Sequence, residues 1–166
     1  MSKKNLGVIT QGSLSGGLEM RLSSSNSVEE VRVGKFVVVE GRQNRFFCML
    51  TDVSLGTSNP KILLDPPTDD DFTSEILNGI GTFGTVKLQP MLMIERNTKS
   101  SEEELRPVKT IPSHFSNVCD ASEHDFKTVF GDEHDPNKKM FNIGQPLDMD
   151  TPVCLDLDRF IERSNG

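Results

Sequence analysis

Apolar residues in the first part of this chain recur with period two, in short runs separated by glycine and polar clusters. Leu18, Met20 and Leu22 alternate with Glu19 and Arg21, the pattern of a half-buried strand. Leu6–Thr10 reads as a shorter strand, and Gln11–Gly17 as a glycine-serine turn between the two. The densest stretch is Val31–Leu55, VRVGKFVVVEGRQNRFFCMLTDVSL. Two β-type runs joined by the polar break Gly41–Asn44 predict a hairpin. Phe46, Phe47, Cys48, Met49 and Leu50 are consecutive and apolar, so the second strand is either covered on both faces or shifted by a bulge.

Further strands are predicted at Lys61–Leu64 and Gly84–Glu95, with a brief helix at Thr73–Ile80 between them. In the latter strand Val86, Leu88, Leu92 and Ile94 share one parity, and Pro90 implies an edge or a bulge. Six strands at this spacing, without an intervening long helix, predict a mainly β unit, an antiparallel barrel or sandwich, ending near Arg96. Asn97–Glu104, NTKSSEEE, breaks the composition and divides the chain into 1–96 and 97–166. The second part reads as a small α+β segment. Leu105–Pro112 is extended and bounded by proline, and Ser122–Phe130 is a short helix with a capping box through Asp125 and a stop at Gly131. Gly131–Lys139 is a charged loop, Val153–Leu155 a strand and Asp156–Arg163 a helical turn or two.

Charge sharpens this division. Of a net −7, residues 1–96 carry 10 basic and 11 acidic side chains, whereas 97–166 carry 8 and 14. A chain that grips a phosphate backbone shows the opposite balance, and the absence of Trp and Tyr leaves only Phe for base stacking. No apolar run reaches the length of a membrane span and the N-terminus has no hydrophobic signal region, so a cytoplasmic location is expected. Cys48, Cys119 and Cys154 read as reduced thiols.

The chemical motifs are weak. Leu14-Ser15-Gly16-Gly17 matches the core of a transporter ATPase signature but sits between two short strands, as a turn does. Gly34-Lys35 lacks the upstream glycine and following hydroxyl of a phosphate loop. His114, Cys119, His124 and His134 have no compact zinc spacing, and Asp69–Asp71 lacks the glycine and distal Glu of a calcium loop. Asp148, Asp150, Asp156 and Asp158 have neither base nor nucleophile beside them. The residues therefore yield no catalytic set and no metal site.

Gly7-Val8-Ile9, Leu18–Leu22, Val33–Val39 in the pattern V-x-V-G-x-F-V-V-V, and Phe46–Leu55 together resemble the barrel that opens HerA-like ATPases and ATP synthase catalytic subunits, the HAS barrel, over residues 6–96. Ile143-Gly144 and Thr151–Arg163 are similar to the lead-in of HerA-type motors of the HerA/FtsK superfamily, where a strand and a short helix precede the phosphate-loop strand. Ser164 stands where such motors often carry His, and the acidic second half is not a family feature. The resemblance implies a small closed antiparallel β-barrel of about six strands, acting as a non-catalytic assembly and docking module of a hexameric DNA translocase, with the chain stopping just before Walker A. ATP and Mg2+ then belong to the full-length parent, with no cofactor in this stretch. DNA is engaged through the parent motor, a NurA-type nuclease is the implied partner, and no membrane is involved. Arg163, Ser164, Asn165 and Gly166 become the approach to the absent nucleotide loop. The alternative is a free-standing small-barrel module that binds single-stranded nucleic acid or protein, with Phe36, Phe46 and Phe47 as stacking platforms.

Overall fold

The computed structural model describes residues 4–60, 64, 82–96, 103–146 and 150–163. The strand expected at 61–64 (save Leu64), the acidic loop 69–71, the helix expected at 73–80 and Asp148 lie outside the described residues. The chain forms two compact units, Met1–Asp120 and Ala121–Gly166.

The first unit holds β1 (Asn5–Ser13), β2 (Gly17–Leu22), β3 (Phe36–Glu40), β4 (Asn44–Thr57), β5 (Thr82–Arg96), β6 (Glu103–Pro107) and β7 (Asn117–Asp120), with a 3₁₀ turn at Val28–Glu30. Every pairing is antiparallel. The order β2-β1-β7-β3-β4-β5 closes on itself because β2 also pairs with β5, giving the expected six-stranded barrel. Its sixth strand, however, is β7, placed between β1 and β3. The sheet thus runs past the 96/97 composition break, and the compact units divide between Asp120 and Ala121. β6, within the stretch read as linker and extended segment, adds a seventh strand outside the ring and, among the described residues, pairs with β5 alone.

Bulges shape the interior. Leu6, Ile9, Met20, Val37, Val39, Phe46, Cys48, Leu50, Val86, Leu88, Met93 and Val118 form one buried core. β4 satisfies both sequence alternatives. Phe46, Cys48 and Leu50 face inward while Phe47, of opposite parity, is buried too, and the register with β5 shifts at Phe47/Cys48 and Leu50/Asp52. The first shift passes the extra residue to β5, where Cys48 opposes Pro90 and Phe47 opposes Leu92. Met93 therefore takes the interior place, and Leu92 and Ile94 lie on the outer face, not on the parity of Val86 and Leu88. One added residue reverses every side chain beyond it.

The β1–β2 connection is tighter than the expected seven-residue turn, with β1 running to Ser13 and β2 starting at Gly17. Gly17 has φ +79, and a Cβ there would stand 2.8 Å from the Leu88 carbonyl oxygen. Glycine is required at that position on both counts.

The second unit contains α1 (Glu123–Phe130), β8 (Met140–Gly144), β9 (Val153–Asp156) and α2 (Leu157–Arg163). Ser122 caps α1: its hydroxyl accepts from the Asp125 N–H, while the Asp125 carboxylate accepts from the Ser122 N–H at 2.8 Å. Gly131, at φ +83, ends the helix. β8 was not anticipated. It pairs with β9 in a two-stranded sheet, within which Phe141 and Ile143 stay exposed.

Candidate functional site

Most groups singled out in the sequence are absorbed by the fold. Leu14–Gly17 is the β1–β2 turn, in which the Gly16 N–H donates to Ser13 Oγ at 2.8 Å. Gly34, at φ +91, donates its N–H to the Leu50 carbonyl and starts the β3 approach, and Lys35 pairs with Asp120 at 2.7 Å. Asp156 pairs with Arg159, and Asp158 with Lys139, both near the surface. His114 packs its ring against Phe115, while His134 lies beside Glu133 at 3.6 Å. Among the described residues no three His, Cys, Asp or Glu side chains gather as metal ligands. Arg163 is the last residue of α2, and Ser164, Asn165 and Gly166 lie outside the described residues.

The thiols are shielded. Cys48, Cys119 and Cys154 are buried, and none of them forms a disulfide. Burial pushes the Cys48 thiol far above its ordinary value and raises Cys154 as well, which keeps both protonated and poor as nucleophiles. The phenylalanines offer little stacking surface: Phe46 and Phe47 are buried, and Phe36 lies face to face with Phe47, centroids 5.2 Å apart.

What remains is surface on the barrel unit. At one rim the β4–β5 ribbon extends beyond β2 and borders a groove of about 850 Å³ lined by Arg21, Leu22, Val28, Leu55, Phe83 and Gly84, among others. The Arg21 guanidinium lies 4.1 Å over the Phe83 ring, and Leu55 is 82% exposed although it shares its face with Val53 and Val86. Beside this groove a cavity of about 80 Å³ is lined by the Lys4–Glu30 ion pair and by Lys35, itself paired with Asp120. The Glu30 carboxylate raises Lys4 above its usual value, and Lys4 lowers Glu30 in return.

The second surface is β6, laid against Leu92–Arg96 of β5. None of its residues is buried, yet its Glu103 carboxylate pairs with Arg45, a guanidinium 6% exposed on the outer face of β4. In the sequence Arg45 reads as the start of a strand and Glu103 as part of the linker 97–104. Only the register of β4, β5 and β6 brings the two together.

No helix among the described residues is long and apolar enough to cross a membrane. Compared with known proteins, residues 6–109, more than half of the chain, match the family model of the HAS barrel domain. No curated protein matches the chain.

Proposed function

The chain belongs to the HAS barrel domain family, and on that premise we propose that it is the assembly and partner-docking module at the front of a hexameric HerA-like DNA translocase. In this reading the barrel carries no catalysis of its own. It stands in a collar on one face of the motor ring and receives a partner such as a NurA-type nuclease. ATP, Mg2+ and DNA belong to the motor that follows.

The observation that carries this reading is the order of parts: a closed barrel of the matched family, then the β9–α2 strand and short helix at Val153–Arg163 that resemble a motor lead-in. The nucleic-acid alternative is less well supported, because Phe46 and Phe47 are buried and the chain is acidic. Stacking needs an open ring face and a basic track.

The test is the coding sequence after Gly166. A GxxGxGK[ST] run behind an apolar strand is expected, and native mass spectrometry of the protein so encoded is expected to give a hexamer. A stop codon directly after Gly166 would refute the motor reading.

A further inference from the structure

β6 is held differently from the six strands of the ring. Among the described residues each ring strand has neighbours on both sides, whereas β6 pairs over five residues with β5 alone, and the barrel closes without it. Two features weaken its hold. Glu104 stands directly opposite Glu95, so that the Arg106 guanidinium, 3.0 and 3.4 Å from the two, is taken up in offsetting a like-charge pair, and Pro107 has no N–H to give. One feature strengthens it: the Glu103 carboxylate reaches the nearly buried Arg45. Leu105 adds an apolar contact point opposite Ile94.

We infer that β6 is a detachable strap, and that the β5 edge at Leu92–Arg96 with Arg45 beside it is an acceptor site for an extended strand of a partner protein. The strap defines what fits: a carboxylate to meet Arg45, then an apolar residue two positions on to lie opposite Ile94, so that both point to one face. A partner strand with a basic residue at the intervening position pairs with Glu95 directly and outcompetes the strap. The strap of a second copy is the poorer occupant. The six residues joining Arg96 to Glu103 reach at most ~20 Å fully extended, so β6 returns to its own barrel. This site deepens the docking half of the proposed function, but its test does not depend on whether a motor follows.

The experiment uses the full chain and a fluorescein-labelled peptide of residues 101–108. Hydrogen exchange should release the amides of 103–106 at a lower opening energy than those of β4. The peptide should bind saturably. Glu103→Gln in the peptide should weaken binding about tenfold, the scale of one charge-assisted hydrogen bond. Glu104→Lys in the peptide should tighten it. Glu103→Gln in the chain should also tighten it, because the competing strap is weakened, a sign opposite to that of general damage. Equal binding of all peptides, no saturable binding, or β6 amides exchanging only together with β4 would overturn the inference. Self-association of the chain that the peptide competes away would overturn the choice of a foreign strand.

Discussion

Gly7 shows how little room the barrel leaves where β1 crosses β2. It faces Leu22 in the register, and a Cβ built on it would lie 2.1 Å from the Arg21 carbonyl oxygen. Backbone cannot rotate away as a side-chain tip does, so the strands must part. Gly34 makes the opposite case: a Cβ there meets nothing within 4 Å, and only its φ of +91 favours glycine. The two positions separate steric from torsional cost. Gly7→Ala is expected to lose about 3 kcal/mol, the upper end of overpacking. Gly34→Ala is expected to lose about 1–2 kcal/mol, the cost of a left-handed L-residue. Urea unfolding of both variants checks this, and equal losses would mean that the β1–β2 approach tolerates a methyl group.

At the level of elements, α1 rests on its first turn. Ser122 and Asp125 satisfy each other's backbone, and Lys127 braces the helix between Glu123 at 3.0 Å and Asp132 at 3.2 Å. Ser122→Ala removes the hydroxyl acceptor and is expected to cost about 1 kcal/mol, seen as faster amide exchange across 123–130. Unchanged exchange would mean that the cap contributes nothing. This helix was legible in the sequence because capping is local chemistry, three residues apart. The β3–β4 hairpin was legible for the same reason. β7 was not. Its lead-in turns at Phe115, φ +63, a position where sequence rules look for glycine or asparagine. What holds that turn is distant: the Phe115 N–H donates to the Ile9 carbonyl at 2.8 Å, and the Ile9 N–H to Ser116 at 3.0 Å. β8 escaped notice because MFNIG has no inward face, and its pairing with β9 creates the strand. The outward turn of Leu92 and Ile94 was hidden likewise. Pro90 signalled a bulge, but only the β4 register shows which residues it reverses.

For the whole molecule, the consequence of β7 is that the barrel cannot be cut where its composition changes. A fragment ending at Arg96 lacks the strand that pairs with Val38 and Val39 on one side and with Gly7 and Val8 on the other. Its ring would open between β1 and β3, exposing Leu6, Ile9, Val37 and Val39 and losing the buried Val118. Each such side chain returned to water forfeits about 1.5–3 kcal/mol, and a domain stable by only about 5–15 kcal/mol does not survive several. Residues 1–120 are therefore expected to unfold cooperatively in denaturant, with dispersed amide resonances, whereas 1–96 is expected to show neither. The matched family segment ends at residue 109, ahead of β7, so a fragment cut there tests closure most sharply. It keeps β6 but lacks the sixth ring strand. If it folds as well as 1–120, β7 is an accessory strand and the ring is closed by something else. If it does not, four residues far along the chain, Asn117–Asp120, decide whether the first hundred form a barrel at all.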